Sequence, residues 1–460
     1  INFGSTCPKR SSPDFAPHAV EDRFGQVEPK LILLGDNYQY GGKTFDLKEK
    51  GEEIIALLPT LEKSVRISEF ESWIAPFIGA QAEFNRLPFD HPGFVLFSSG
   101  TTGKPKCITH SGAGVMLKAG AEQIYQFDMK PDEKVFFFTT CGWMMWNWLL
   151  MCLIRGVTIV LFDGSPVFPR ANRLFDMAQN EELNFFGVSA KFIDGIKKVG
   201  LKPAETHDLS KLRMLASTGS VLVPESFDYI YESVKKDVHV ASMSGGTDIC
   251  GCFVASIPTL PVYRGELQGP CLGMATEVFN AQGKVAAQNE KGELVCTVPF
   301  PSKPIGFWGD KEDAKYLSAY FEGFPGVWTH GDFASVSETG GFTLYGRSDA
   351  TLNSKGVRIG TAEIYRVVET FPQIQESMAV SQDWDNDTRV VLFVVIKEGQ
   401  TFDDEVAKEV KRALRDQASP RHVPDKIIVE GRFNVSNGPH RKEFIPIDEN
   451  CDCYPCQNYT

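Results

Sequence analysis

The segment richest in reactive side chains is a polar stretch that directly follows the apolar run at residues 94–97. Its glycines, hydroxyls and lysines give a mobile loop whose N–H and O–H groups can surround phosphate oxygens while the ammonium groups offset their charge. The loop residues are Ser98, Ser99, Gly100, Thr101, Thr102, Gly103, Lys104 and Lys106. Their composition and order predict a cradle for a triphosphate.

This loop is not a Walker A loop. Only Thr101 and Thr102 separate its glycines, and Pro105 follows Lys104 where a Walker A loop has Ser or Thr. The departure disfavours a kinase or a P-loop ATPase. The plain alternative is a solvated surface loop.

The elements that must hold the loop alternate between short apolar runs and amphipathic stretches. Apolar runs at 135–138, 158–162, 185–188 and 214–216 alternate with stretches of helical spacing such as 173–183 and 224–235. The alternation predicts an α/β fold of layered, mostly parallel sheets covered by helices. From about residue 263 to residue 348, shorter Gly- and Pro-rich segments predict a small antiparallel β subdomain.

The pattern changes again near residue 349. Helical patterns at 361–370 and 403–418 flank an apolar run at 389–396. We therefore predict a large N-terminal domain over 1–348, a small mobile α+β lid domain over 349–446, and an irregular tail over 447–460.

The hydroxyl–Gly–hydroxyl–Gly–Lys-Pro-Lys order of residues 98–106 resembles the signature loop of the adenylate-forming enzymes. That superfamily includes acyl-CoA synthetases, luciferases and peptide-synthetase adenylation domains. Its acyl-CoA synthetases join a carboxylate to the α-phosphorus of ATP with release of pyrophosphate, and the thiol of coenzyme A then displaces AMP. The resemblance implies an acid–thiol ligase that uses ATP, Mg²⁺ and coenzyme A.

Further segments resemble this superfamily in its own order along the chain. The stretch ending at Thr247 and Asp248 resembles its Thr-Glu element, which implies that Thr247 lies near phosphate and that Asp248, in place of glutamate, holds Mg²⁺. Asp332 matches an aspartate that accepts the ribose hydroxyls. Besides the loop, the residues implied to bind the nucleotide are Ser217, Thr218, Gly219, Gly245, Gly246, Asp332 and Arg347.

The lid domain carries the rest of the resemblance. Gly356 matches a position that lets pantetheine pass, Arg358 one that meets phosphate, and Asp349 the hinge. The superfamily's late catalytic lysine is replaced by Pro439, which leaves Lys442 as its substitute. The catalytic residues implied are Lys104, Thr247, Asp248, Arg358 and Lys442; for any one of them, an ordinary solvated or paired surface group is the alternative.

Segments 139–148, 242–249 and 345–353 look closer to the acetoacetyl-CoA synthetase family than to acetyl- or long-chain synthetases. Bulky side chains in the first of them predict a short, closed pocket for a short carboxylic acid such as acetoacetate. The pocket residues are Trp143, Met144, Trp146 and Asn147, with Trp148 beside them. Ordinary core packing is the alternative for each.

Charge, hydropathy and cysteine distribution disfavour nucleic-acid binding, a membrane span and an oxidising compartment. The formal net charge of −12 over 460 residues disfavours a duplex nucleic-acid binder. Residues 135–154 carry no charge, but their polar positions and β-rich start favour a strand, a turn and a helix inside a protein over a membrane span. Singly scattered cysteines indicate a reducing, cytoplasmic location. Only Cys451, Cys453 and Cys456 cluster, and a zinc knuckle there would lack a fourth ligand.

Two other interpretations stay open. Residues 11–15 resemble a segment well inside a full-length synthetase, so we expect a substantial N-terminal portion to be absent. Together with Pro439, this allows a nucleotide- or acyl-CoA-binding paralogue without turnover. A hydrolase is disfavoured because there is no Gly-x-Ser-x-Gly elbow and no histidine in a recognisable triad setting; His330, beside Asp332, is predicted to belong to a turn.

Overall fold

The computed structural model describes residues 11–81, 84–98, 104–348, 351–354, 357–384 and 387–430. The chain divides into two compact units, of which the larger contains Val20–Ser98 and Pro105–Asp349. Most of the smaller unit comes from residues that follow Asp349.

The larger unit is rich in strands. In chain order they are β1 (Leu31–Leu34), β2 (Asn37–Tyr40), β3 (Lys43–Asp46), β4 (Lys63–Arg66), β5 (Pro92–Ser98), β6 (Lys106–Ser111), β7 (Lys134–Phe137), β8 (Thr158–Val160), β9 (Phe185–Ser189), β10 (Met214–Thr218), β11 (His239–Ser242), β12 (Ser244–Gly246), β13 (Gly251–Ala255), β14 (Gly269–Pro270), β15 (Thr276–Phe279), β16 (Gly292–Cys296), β17 (Gly306–Phe307), β18 (Trp328–Val336) and β19 (Phe342–Arg347).

Helices connect and cover these strands. They are α1 (Pro17–Phe24), α2 (Lys48–Leu57), α3 (Phe70–Ile74), α4 (Gly112–Ala121), α5 (Met144–Met151), α6 (Arg173–Asn180), α7 (Ala190–Lys198), α8 (Pro203–Thr206), α9 (Pro224–Tyr229) and α10 (Ala314–Phe321). Two π-helical turns, Glu122–Gln126 and Ile230–Val234, continue α4 and α9. Short 3-10 turns lie at Ile67–Glu69, Ala75–Phe77, Cys152–Arg155 and Lys311–Asp313.

The larger unit contains a five-stranded parallel sheet of order β11-β10-β9-β7-β8. Alternate residues of β7 belong to different hydrophobic clusters. Val135 and Phe137 belong to one cluster, and Phe136 belongs to the other. Phe185 and Phe186 of β9 divide in the same way. Because both faces of the sheet are covered, β7 and β9 consist mainly of apolar residues. Continuous apolar runs in the sequence therefore predicted these strands.

The same unit also contains antiparallel sheets. β15, β16, β18 and β19 form one sheet, β12, β13 and β14 another, and β17 pairs with β6 at the edge of the β5–β6 hairpin. The segment 263–348 therefore supplies an antiparallel sheet of its own and also single strands to neighbouring sheets. The predicted mixed α/β fold class is confirmed.

The smaller unit contains β20 (Thr351–Ser354), β21 (Val357–Gly360), α11 (Thr361–Val368), β22 (Ile374–Trp384), β23 (Asp387–Ile396), α12 (Asp404–Gln417), a 3-10 turn at Pro420–His422 and β24 (Lys426–Glu430). Asp403 begins α12 by accepting hydrogen bonds from the amides of Glu405 and Val406. Val410 and Leu414, four residues apart, are both fully buried against the sheet β22-β23-β24.

Residues 135–154 fold as part of β7, the short helix α5 and the turn after it. None of the helices in the part of the chain that the structure describes is long and apolar enough to cross a membrane. The cysteines in that part are all buried except Cys141. Burial raises the pKa of Cys250 and of Cys271 to about 12, so both stay protonated at neutral pH.

Candidate functional site

The predicted nucleotide-binding segments of the larger unit follow the carboxyl ends of neighbouring parallel strands. Ser217 and Thr218 end β10, and β12 starts at Ser244 just after β11 ends. The Thr218 hydroxyl donates to the carbonyl oxygen of Met243 at 2.9 Å, which joins the two segments. Open α/β sheets bind their ligands at this edge.

Ser217 carries a buried hydroxyl near the end of β10. The residue is 1% exposed, and its Oγ atom makes no hydrogen bond to any residue that the structure describes. A buried hydroxyl in this state costs free energy unless a ligand or water satisfies it. It is therefore a suitable contact for a polar group of a bound nucleotide.

Thr247 and Asp248 lie in a tight turn, residues 247–250, between the paired strands β12 and β13. Close backbone approach makes this turn possible. A Cβ atom on Gly245 would lie 1.9 Å from the carbonyl oxygen of Gly251, so no larger residue fits there without moving the strands.

Asp248 is 4% exposed, and its Oδ1 atom accepts a hydrogen bond from the hydroxyl of Tyr320 at 2.6 Å. Among the described residues, no group of three or more His, Cys, Asp or Glu side chains is arranged to hold a metal ion. One buried carboxylate fits Mg²⁺, which proteins commonly hold through one or two carboxylates while substrate phosphates and water complete the octahedron.

His110 binds the same turn from β6. Its Nε2 atom lies 2.9 Å from the carbonyl oxygen of Thr247. Burial lowers the pKa of His110 to about 4, although the hydrogen bond to Thr247 and the charge of Asp248 act in the opposite direction. The ring is therefore neutral at pH 7, and its Nε2–H donates because a carbonyl oxygen can only accept.

Asp332 reaches this region from β18. It is 8% exposed, and the Ser244 hydroxyl donates to its Oδ2 atom at 3.4 Å. Arg347, on β19, is the backbone partner of Asp332 across the antiparallel pair. The prediction that His330 belongs to a turn was wrong: it lies within β18, and its ring packs edge-on against Phe253 with centroids 4.7 Å apart.

The predicted phosphate loop joins β5 to β6, and residues 99–103 lie outside the described part of the chain. The residues on either side of it are paired, because Ser98 is opposite Lys106 in the hairpin. Lys106 Nζ lies 5.2 Å from the ring centroid of Tyr320 and 5.7 Å from that of Phe307. Lys104 is exposed.

The predicted acid-pocket residues lie at the start of α5, after the carboxyl end of β7. Trp143 and Trp146 are half-buried, whereas Met144 joins the main hydrophobic cluster. Trp148 is a core residue: it is 1% exposed, and its Nε1–H donates to Glu122 at 2.9 Å. Asn147 is 2% exposed, and its Nδ2 atom has no hydrogen-bond partner among the described residues.

The predicted lid residues belong to the smaller unit or lie outside the described residues. Arg358 is on β21, where its backbone partner is Asn353 of β20. Gly356, Pro439 and Lys442 lie outside the described part of the chain, as do the cysteines of the tail.

Residues 11–303 match the family described as AMP-binding enzyme. The chain belongs to this family. It is 50% identical over 434 residues to the acetoacetyl-coenzyme A synthetase of Rhizobium meliloti (strain 1021), an alignment that covers 91% of this chain and 66% of the relative. The acetoacetyl-CoA synthetase of Gallus gallus is 42% identical over 440 residues, with the same 91% and 66% coverage.

A solved structure agrees with this assignment. The acetoacetyl-CoA synthetase of Streptomyces lividans matches with a TM-score of 0.68 and 38% identity, over 94% of this chain and 68% of that one. The chain thus spans about two thirds of the length of the relatives it matches.

Tyr320 and His110, which contact the turn at residues 247–250, were not predicted from the sequence. His110 shares one face of β6 with Lys106, because residues two and four apart on a strand point the same way. That spacing could have singled it out. Tyr320 is four residues after Tyr316 on α10, a spacing that an ordinary core helix also shows.

Proposed function

We propose that this chain is an ATP-dependent acid–thiol ligase that activates acetoacetate, or a similar short acid, as an acyl-adenylate. The acyl group is then transferred to coenzyme A, and pyrophosphate and AMP are released. Relatives named acetoacetyl-CoA synthetase, at up to 50% identity over 91% of the chain, support the assignment. The observation that carries it is the Thr247–Asp248 turn, which His110 binds from the loop hairpin and Tyr320 from α10.

The nucleotide would lie at the carboxyl end of the parallel sheet. Ser217, with its buried hydroxyl, faces the base or its neighbouring groups together with Thr218 and Gly219, and the Asp332 carboxylate accepts the ribose hydroxyls. Arg347 follows on the adjacent strand. Gly245 and Gly246 keep the chain beside the nucleotide free of side chains.

Phosphate binding is assigned to the loop and to the lysines at its end. The hydroxyls and N–H groups of residues 98–103 surround the leaving pyrophosphate, and Lys104 and Lys106 offset its charge. Asp248 would hold Mg²⁺ with Thr247 beside it, and the bound ion would neutralise charge on the phosphates. Transfer at the α-phosphorus requires that the negative charge of the phosphate oxygens is stabilised and that the reacting groups are held in position. It does not require a protein nucleophile.

The lid domain over 349–446 is proposed to exchange two arrangements about Asp349. In one, Lys442 takes the place of the lysine that Pro439 replaces, and in the other Gly356 and Arg358 face coenzyme A and phosphate. We also propose a cytosolic location and a role in fatty-acid or ketone-body metabolism.

The acid is proposed to lie against the start of α5. Trp143, Met144 and Trp146 limit the length of the chain that fits. Asn147 supplies a buried N–H donor without a partner among the described residues, which suits an oxo group on a short acid.

Acid-dependent exchange of pyrophosphate into ATP, with Mg²⁺, tests the proposed function because it isolates adenylation from thioester formation. We expect exchange driven best by acetoacetate, less well by butyrate and acetate, and at background without acid. Measurable ATP binding with no exchange for any acid contradicts an active ligase and identifies a nucleotide-binding paralogue instead.

A further inference from the structure

Tyr320 is held rigidly on α10. The residue is 2% exposed, and its ring stacks on Trp328 with centroids 3.9 Å apart and an interplanar angle of 14°. Phe307 and Tyr316 pack edge-on against the same ring, with centroids 5.7 Å and 5.4 Å away. A ring enclosed on several sides fixes the place of its hydroxyl.

This hydroxyl donates to Oδ1 of Asp248 at 2.6 Å. The terminal torsion of an aspartate is broad, so a buried carboxylate needs a donor to fix the plane of its two oxygens. The Oδ2 atom then lies on the side of Gly246, 3.3 Å from where a Cβ atom on that glycine would be. The orientation of Asp248 is thus set by a residue 72 positions away in the chain.

The same ring also meets the predicted phosphate loop. Lys106 Nζ lies 5.2 Å from its centroid, within the range of a cation–π contact. Since the Trp328 indole covers one face at stacking distance, the ammonium group approaches from elsewhere on the ring. Tyr320 therefore contacts both a lysine assigned to phosphate and the carboxylate assigned to the metal.

We propose that Tyr320 is a positioning residue that fixes the Asp248 carboxylate for a divalent cation bound together with ATP, and aligns it with Lys106. This inference rests on the proposed function, because it takes Asp248 as the metal-binding residue. Tyr320 does not itself touch the reacting atoms; it acts through Asp248.

The test is the Mg²⁺ dependence of ATP binding by the whole chain, measured by calorimetry, with Tyr320→Phe against the unsubstituted chain. Phenylalanine keeps the stacked ring and removes only the hydroxyl. Since a hydrogen bond to a charged group is worth roughly a tenfold effect or more, we expect the Mg²⁺ concentration for half-maximal ATP binding to rise about tenfold. ATP affinity without metal should not change.

Tyr316→Phe is the matched control, because Tyr316 is on the same helix and its hydroxyl lies 3.3 Å from Lys303 Nζ rather than beside Asp248. It should leave the Mg²⁺ dependence unchanged. A second comparison uses the Asp248→Asn background, in which Tyr320→Phe should add no further loss of Mg²⁺ response.

Three results decide the matter. An unchanged Mg²⁺ dependence in a stably folded Tyr320→Phe variant overturns the proposal, as does an equal effect in the Asp248→Asn background. A tenfold rise in the Mg²⁺ concentration for half-maximal ATP binding, seen when Asp248 is present and absent when it is replaced by asparagine, supports the proposal. Acid-dependent exchange is measured separately, so a chain that binds Mg²⁺ and ATP without exchanging pyrophosphate contradicts the ligase and leaves the Tyr320 comparison valid.

Discussion

The buried ion pair between Lys118 and Glu122 offers a stringent test of the fold around the site. The two side chains are 2% and 1% exposed, with Nζ and Oε1 2.7 Å apart. Glu122 also accepts from the amide of Cys252 at 2.6 Å and from Trp148 Nε1 at 2.9 Å. It therefore joins the π-helical turn after α4 to α5 and to β13, the strand that follows the Asp248 turn.

The charges in this pair depend on each other. Burial is the largest single effect on Lys118 and lowers its pKa, but the Glu122 carboxylate, together with Cys271 and Cys252, holds that pKa above its usual value. Lys118→Met leaves the carboxylate without its cation, and Glu122→Gln leaves the ammonium without its anion. Because a charge left unpaired in the interior is costly, each single change should reduce the free energy of unfolding by about 3–5 kcal/mol.

The double variant should be less affected than the sum of the single ones. With methionine at position 118 and glutamine at position 122, both side chains are neutral. The glutamine oxygen can still accept from the amide of Cys252, so the main loss is the partner of Trp148 Nε1, about 1–3 kcal/mol. The coupling free energy should then be at least about 3 kcal/mol. Urea unfolding of the four chains, followed by circular dichroism, measures it as a double-mutant cycle.

An exposed pair supplies the control. Lys202 and Glu205 lie 3.0 Å apart with side chains 58% and 66% exposed, so the corresponding cycle should give less than about 1 kcal/mol. If the Lys118 and Glu122 changes add to within about 0.5 kcal/mol, the pair is not coupled in the way that its burial requires, and the reasoning is wrong.

Three further predictions concern the site itself. Because the pKa of His110 falls from 6.5 to about 4 on folding, the unfolded chain binds that proton more tightly; stability is full above pH 6.5 and is lost as the pH falls towards 4. When the pH falls from 7 to 5, the free energy of unfolding of the His110→Gln variant should therefore decrease by about 2 kcal/mol less than that of the unsubstituted chain. Urea titrations at the two pH values measure both decreases, and equal decreases would contradict this. Gly245→Ala should lower the melting temperature and weaken ATP binding at least tenfold, since its Cβ meets a backbone oxygen at 1.9 Å; normal binding would show that the turn can move. Asn147→Leu should lower kcat/KM about tenfold or more for acetoacetate but little for butyrate, and a parallel loss for both acids would remove Asn147 from acid recognition.

Sequence patterns predicted the strands that are covered on both faces and the helices with a strongly periodic apolar face. The apolar runs of β9 and β10 and the amphipathic α12 were predicted because each local pattern matches its packing. β22, over Ile374–Trp384, was not predicted, since Gln375, Glu376 and Asp383 interrupt its apolar residues.

The site shows the same limit. The resemblance of motifs along the chain implied roles for Thr247, Asp248 and Asp332 in nucleotide and metal binding, and these roles stay predictions. The hydrogen bond that the Ser244 hydroxyl donates to Asp332 was not predicted. Tyr320 could not be found in this way, because its hydrogen bond joins residues 72 positions apart and its local pattern is that of any buried helix. Trp148 shows the converse: its aromatic neighbourhood suggested a pocket, whereas its indole belongs to the core.

The pairing of β17 with β6 sets an order of events during synthesis on the ribosome. Gly306 is opposite Thr109, so the strand that completes the edge of the loop hairpin is made roughly 200 residues after the hairpin itself. At about 5–20 residues per second, that edge stays open for about 10–40 s. An unpaired strand edge can pair with another chain, so this edge is open to pairing between nascent copies for that interval.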